Sequence, residues 1–275
     1  MKEIILSGGL GNQMFEYAFY LSCKERGIKI KLNTDLYKVD AMHTGYMLSK
    51  VFNIPQSELS KSNPLSILVT RFICHYEKLG LAYFDSPMKY DKVAYTTNKK
   101  YYLGCFINPL YFKDISDLVL NTFQFKGIDQ DNSKLAEKVK QVESVSLHIR
   151  RGDYLKNSIY GVCDGEYYKK AIELVNSKID NPKFYVFSDD PEWCKGFMLS
   201  QKVNHQIITH NTGVNSYKDM YLMTQCKHNI IANSTFSWWG AWLNRNKSKL
   251  VLCPNKWTTS IPMTPNPQKW VYIEV

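Results

Sequence analysis

The stretch Val145-Ser146-Leu147-His148-Ile149-Arg150-Arg151-Gly152-Asp153-Tyr154 decides the fold. Its first half is short, apolar and β-branched, and its second half turns abruptly to charge and glycine. A strand buried in a parallel sheet ends at a loop in this way. The pattern recurs downstream. Residues 183–187 read as a strand running into Ser188-Asp189-Asp190-Pro191, and 206–208 as a further strand. Residues 228–232 run into Asn233-Ser234-Thr235, and 250–252 form a fifth strand. Helical periodicity fills the gaps at 166–179, after Pro191, at 216–225 with Ser216 as cap, and at 235–243. Strands alternating with helices predict an α/β fold with a mostly parallel, doubly wound sheet.

Working outward, the first 33 residues form one more strand–helix–strand unit. Residues 3–6 are β-rich, Ser7-Gly8-Gly9-Leu10-Gly11 is a turn, 12–26 has helical spacing, and 28–32 alternates as a strand. Residues 34–110 hold aromatic runs broken by Asn53-Ile54-Pro55, Asn63-Pro64 and Ser86-Pro87, with a strand predicted only at 101–106. Residues 127–134 are polar and read as a connection, so Asp129-Gln130-Asp131 is assigned to a loop and not to a metal site. Two domains follow, 1–135 and 136–275, each Rossmann-like, facing each other across a cleft.

Bulk properties narrow the function. The formal charge of +10 favours anionic partners, but the basic residues are scattered and form no basic tail, which disfavours nucleic acid. Seven cysteines contain no Cys-x-x-Cys pair, which argues against structural zinc or a disulfide framework and for a reducing, cytoplasmic location. No apolar run is long enough to span a bilayer, so any membrane association is peripheral. No His-Glu-x-x-His pattern occurs, and no cofactor or metal is expected.

Ligands of open parallel sheets bind beyond the carboxyl ends of strands, and four polar clusters fall there. In the first, His148 and Arg150 share a strand face. Arg151 is expected to pair with Asp153, leaving Arg150 to grip a phosphate with its planar fork. In the second, Asp190 before Pro191 is the pattern of a helix N-cap, which leaves Asp189 free for a guanine edge. In the third, Ser234, Thr235 and Phe236 open a helix whose N–H groups suit an anion, while Trp238, Trp239 and Trp242 read as core. The fourth, Gly8-Gly9-Leu10-Gly11-Asn12-Gln13, departs from a dinucleotide fingerprint at Met14 and lacks the Gly-Lys-Ser/Thr of a P-loop.

Together these residues resemble glycosyltransferase family 11, the α-1,2-fucosyltransferases. The resemblance rests on His148-Ile149-Arg150-Arg151-Gly152-Asp153-Tyr154, on residues 8–18, on Ser188-Asp189-Asp190 and on residues 233–240. It implies a glycosyltransferase-B fold and inverting transfer from GDP-β-L-fucose to the 2-hydroxyl of a galactose-terminated acceptor. It further implies Arg150 on the β-phosphate, His148 near the nucleoside, Asp189 or Asp190 on guanine, and Ser234, Thr235 and Phe236 on the phosphates. Asn12, with Gly9 and Gly11, borders the donor from the other domain. Asp153 and Asp164 are the candidates for accepting the acceptor's proton, although Asp164 also reads as a helix cap. Acceptor recognition is expected near Tyr37, His43, Tyr46, Tyr83 and Phe84.

Overall fold

The computed structural model describes residues 1–39, 44–76, 79–161, 163–260 and 264–275. His43 lies outside them. The chain divides into two compact units, Met1–Lys126 and Gly127–Val275. The division falls before the junction predicted at 135/136, because the polar stretch 127–134 is irregular only as far as Asp129 and helical from Gln130. Asp129 accepts the N–H of Asn132 (2.9 Å) and caps the helix Gln130–Lys140, while Lys218 closes on its other oxygen at 2.7 Å. Asn132, buried, exchanges amide hydrogen bonds with Asn211 (3.0 and 2.8 Å), so this stretch already belongs to the second unit.

The first unit holds β1 (Lys2–Ile5), β2 (Ile30–Asn33), β3 (Ala82–Phe84) and β4 (Tyr101–Leu103), all parallel, in the order β2-β1-β4-β3. Strands this short make few ladder bonds, and the core is built instead on the helix Leu10–Glu25, which is buried almost all round. Phe19 stacks on Phe106 (centroids 4.0 Å apart) and meets Tyr111 edge-on at 5.1 Å.

The helix Pro64–His75 lies where the sequence predicted no element. The Asn63-Pro64 pair opens it: Asn63 accepts the N–H of Ser66, Ser66 Oγ accepts that of Asn63 (both 2.9 Å), and Pro64 occupies the first turn. β4 stops at Leu103, short of the predicted 106, because Gly104 takes φ +119° and presses its Cα against Asp85.

The second unit is a six-stranded parallel sheet: β5 (Ser144–Ile149), β6 (Lys183–Ser188), β7 (His205–Ile208), β8 (His228–Ile230), β9 (Val251–Pro254) and β10 (Val271–Ile273). β10 was not predicted. The order is β10-β9-β8-β5-β6-β7, and every residue of β5 is buried. On one face Val145, Leu147 and Ile149 pack with Tyr167, Ala171 and Ile172 of the helix Gly165–Lys178. On the other lie Tyr185, Phe187, Val139 and Leu222. His148, alternating with Leu147 and Ile149, faces that second side. Ser216 is already helical in backbone (φ −56°) and its hydroxyl makes no cap bond to the helix Tyr217–Gln225, contrary to the expected cap.

Gly104→Ala should destabilise the first unit by on the order of 2 kcal/mol or more. An added Cβ stands 2.5 Å from Asp85 Cβ at a positive φ, so neither space nor backbone accommodates it. Urea unfolding followed by Tyr fluorescence checks this.

Candidate functional site

From β5 the chain builds outward through β6 and β7, then returns to place β8 on the opposite side of β5. The crossovers therefore diverge between β5 and β8, which opens a crevice at the carboxyl ends of those strands. Three of the sequence-predicted clusters meet there.

Register sets the geometry. Ile149 pairs with Ser188, so the next residues on each strand, Arg150 and Asp189, are neighbours. Arg150 places Nη1 2.9 Å from Asp189 Oδ2 and Nη2 2.6 Å from Asp153 Oδ1. Its guanidinium lies 5.4 Å from the Tyr154 ring. Arg151 points elsewhere: its main-chain N–H donates to Asp189 Oδ1 (2.9 Å) and its Nε to Asp190 Oδ2 (3.0 Å), with the guanidinium 4.2 Å over Trp193. The expected Arg151–Asp153 pair is thus corrected. The turn at Gly152 brings Asp153 back under Arg150, three residues earlier, and sends Arg151 toward the helix Pro191–Gln201.

Asp189 is not spare, since each of its oxygens accepts from one of the two arginines. Asp190 is the helix cap the sequence indicated: Oδ1 accepts the N–H of Trp193 (3.1 Å). That bond, then Arg151, holds its carboxyl below the ordinary range. Gly152 is demanded by closeness, because a Cβ there would meet Asp189 Oδ2 at 2.6 Å. Asp164 is committed as a cap, accepting the N–H of Tyr167 at 3.0 Å.

On the β8 side, Asn233 donates to the carbonyls of Tyr160 (3.0 Å) and Trp257 (2.8 Å), and Tyr154 donates to the carbonyl of Asn233 (3.1 Å). This ties the loop after β5 to the loop after β8. Ser234 stands in the cap position of the helix Thr235–Trp242, but its hydroxyl makes no cap bond. Trp238 and Trp239 are buried, as expected, with Trp242 stacked against Trp238. Phe236 lies 5.7 Å from the His148 ring. His148 is 6% exposed, and its Nδ1 finds no hydrogen-bond partner among the described residues; nor does Asn233 Oδ1. Burial, helped by Arg150, pushes the imidazole down to about 3, so it is neutral. Unpaired buried polar atoms cost about 1–3 kcal/mol each, a cost that a polar partner reaching them would offset.

In the first unit the glycine turn lies at the carboxyl end of β1. Gly8 takes φ +68° with Asn12 against its open side, and the N–H of Asn12 donates to the carbonyl of Gly9 (3.0 Å). Gly11 is buried within the first turn of the helix. Three neighbours were given no individual role from the sequence, although Gln13 and Glu16 lie within the quoted stretch 8–18. Gln13, wholly buried, donates to the carbonyls of Gly8 (3.1 Å) and Gly45 (2.9 Å) and accepts the N–H of Met47 (2.8 Å). Glu16, also buried, accepts the N–H and Oγ of Ser7, and burial raises its carboxyl well above the ordinary range. Asp85, raised to about 7 by burial, accepts from Tyr111 Oη and the N–H of Phe106. The available signal was polar residues at positions 13 and 16, on a helix otherwise apolar on that side. The four described acceptor candidates fall into two groups. Tyr37 and Tyr46 pair at 6.4 Å beside the glycine turn, with Tyr37 donating to the carbonyl of Gly8, whereas Tyr83 and Phe84 sit on the far edge strand β3.

Comparison with known proteins bears on this arrangement. The description "Glycosyl transferase family 11" matches residues 1–274. The chain belongs to this family. An alpha-1,2-colitosyltransferase of Escherichia coli is 35% identical, covering 98% of this chain and 97% of that protein. The O-antigen biosynthesis glycosyltransferase WbnK of Escherichia coli is 33% identical over 92% of this chain and 93% of its own length. The fucosyltransferase NodZ from Bradyrhizobium superposes with a TM-score of 0.51 at 10% identity, covering 87% of this chain and 91% of NodZ. That likeness concerns the fold, which is of the glycosyltransferase-B type, with two α/β units that each hold a sheet of parallel strands. This family 11 chain keeps all four sequence clusters within the matched span. Among the described residues no three His, Cys, Asp or Glu side chains converge as a metal-ligand group.

Two outcomes test the geometry. Arg151→Lys should cost about 1 kcal/mol, and a double-mutant cycle with Asp190→Asn should return most of it as coupling energy. His148, ordinarily near 6.5, titrates near 3 when folded, so the unfolded chain takes up the proton first as pH falls. Stability is therefore lost below pH 6.5 at on the order of 1 kcal/mol per unit until about 3, and His148→Gln should flatten that slope in thermal melts.

Proposed function

We propose that this family 11 enzyme transfers L-fucose from GDP-β-L-fucose to the 2-hydroxyl of a terminal galactoside, inverting the anomeric centre to give an α-1,2-fucoside. The observation that carries the proposal is the guanidinium of Arg150 at the β5–β8 crevice. Two carboxylates aim its fork, yet 29% of the side chain stays exposed to an incoming group. The acceptor hydroxyl oxygen attacks the anomeric carbon, the bond to the β-phosphate oxygen breaks, GDP leaves with the electron pair, and the hydroxyl proton passes to water late in the step. Charge grows on that phosphate, and a preorganised cation stabilises it. The start of the helix Thr235–Trp242, with Ser234, Thr235 and Phe236, adds positive potential from the other side of the crevice.

In this reading Asp153 and Asp189 position Arg150, and Asp190 positions Arg151. Their bonds to arginine favour that role over recognition of guanine or acceptance of the acceptor's proton. Asp164, engaged as a cap, is likewise better suited to holding its helix. Neutral His148, with its unpaired Nδ1, is suited to a polar edge of the nucleoside. Gly9, Gly11 and Asn12 follow the carboxyl end of β1, which supports the reading that they border the donor. Tyr37 and Tyr46, beside that turn, are proposed to take the acceptor. The free thiols suit a reducing cytoplasm, where the partners are GDP-fucose and a galactose-terminated glycan and not nucleic acid.

A second reading exchanges the donor sugar for colitose. The 35% identity to an alpha-1,2-colitosyltransferase favours it. Colitose lacks one hydroxyl that fucose carries, and a site that hydrogen-bonds this hydroxyl discriminates strongly between the two.

Turnover of GDP-fucose and GDP-colitose against a panel of galactosides tests both readings. Product from GDP-fucose, surviving excess EDTA, is expected; turnover of neither donor overturns the assignment. Arg150→Lys keeps the charge and loses the fork, and kcat should fall by on the order of 2–4 kcal/mol in barrier, roughly 30- to 1000-fold. A folded Arg150→Lys enzyme with normal kcat removes Arg150 from the leaving phosphate.

A further inference from the structure

The helix Pro64–His75 is built inside out. Leu65, Leu68, Phe72 and Tyr76 follow each other at spacings of three and four and therefore share one face. That face points to solvent, with Leu65 68% and Leu68 62% exposed, while Thr70 and Ile73 are buried on the opposite side. Leu79 and Leu81 extend the exposed stripe past the helix. Between Leu68, Phe72, Leu81 and Tyr101 lies a groove of about 540 Å³ whose lining is almost wholly apolar. A soluble surface rarely leaves six large apolar side chains contiguous without a use for them.

The rim is basic. Lys61 and Arg71 are exposed on and just before the helix, Lys100 lines the groove, and Lys99 is exposed beside it, donating to the carbonyl of Gly80. From residue 60 to residue 81 the sequence holds one acidic residue, Glu77, against Lys61, Arg71 and Lys78. This charge decides between occupants. A second copy docked through the same face would bring Arg71 and the lysines of one protomer against those of the other, in a contact with repulsive edges. A bilayer carrying anionic headgroups is complementary in both respects. Its acyl boundary takes Leu and Phe, its headgroup layer suits Tyr76, and its phosphates pair with the basic rim. No helix among the described residues is long and apolar enough to cross a membrane, so the contact lies in the interface plane.

We propose that the first unit docks on anionic lipid bilayers through the outer face of the helix Pro64–His75 and the segment around Leu79 and Leu81. Leu65, Leu68 and Phe72 enter the interface, while Lys61, Arg71, Lys99 and Lys100 meet lipid phosphates. None of these residues is among those assigned to donor or acceptor, so the contact holds the enzyme at a membrane without entering the chemistry.

Sedimentation of the full chain with phosphatidylcholine vesicles, with and without phosphatidylglycerol, tests the proposal. The wild type should partition at least about tenfold more strongly to the anionic vesicles. The triple variant Leu65→Ser, Leu68→Ser, Phe72→Ser keeps every charge and should lose binding by roughly tenfold or more. Its melting temperature and its turnover of soluble substrates should be unchanged. Arg71→Glu with Lys100→Glu leaves the apolar stripe intact and should abolish the preference for anionic lipid. Failure of the wild type to sediment overturns the proposal. So does equal binding by the triple variant, which would assign attachment to the overall charge. A wild-type dimer in ultracentrifugation that the triple variant dissolves, without vesicle binding, assigns the face to a second copy. Vesicle binding needs no turnover, so this test stands whether or not the donor assignment holds.

Discussion

The carboxylate of Asp189 is the point through which the second unit's site is organised. One oxygen takes the main-chain N–H of Arg151 and the other the guanidinium of Arg150, so a single side chain from the end of β6 fixes both backbone and side chain at the end of β5. The contact exists because the strands are parallel and in register, which brings Ile149 beside Ser188 and the next residues within reach. It also dictates a neighbour, since Gly152 must lack a Cβ for the carboxylate to lie flat against the turn. Arg150 is then gripped between Asp189 and Asp153, and Arg151 is turned away to Asp190. A guanidinium held on two sides loses little freedom when a third anion arrives, which is the condition for electrostatic preorganisation.

From this anchor the crevice extends by means that cost the fold something. His148 is buried and neutral with an unpaired nitrogen, and Asn233 spends its amide donors on two loop carbonyls while its oxygen stays unpaired. The core below compensates: β5 is buried throughout and packed on both faces, and Trp238 and Trp239 fill the space under the helix that follows β8. Rigid strands and a dense aromatic layer can carry a few unsatisfied groups above them.

Much of this was legible in the sequence, and the exceptions have physical reasons. Buried parallel strands are continuous apolar runs, so β5, β6 and β8 and the polar residues after them could be read directly. Pairing could not: which aspartate meets Arg151 depends on the reversal at Gly152, and a period-two argument stops where the strand stops. The helix Pro64–His75 was missed because its exposed leucines imitate a buried run and because Asn63-Pro64 was taken as a break, when the same two residues cap a helix. Gln13 and Glu16 were passed over because polar residues on an apolar face look like exposed ones until their partners, Gly45, Met47 and Ser7, are brought in from elsewhere.

The ring cluster around Phe19 has a consequence for how such a chain can change over time. Phe19 touches Tyr95, Tyr102, Phe106 and Tyr111, residues drawn from three separate parts of the first unit. Each ring's size and tilt is therefore set by the others, and no one of them can be exchanged without a matching exchange nearby. Inherited variation in this unit is channelled away from the interlocked rings. It can accumulate at exposed surface positions such as Lys92 and Lys113. A lineage can thus revise the outside of the first unit repeatedly while its aromatic interior stays the same.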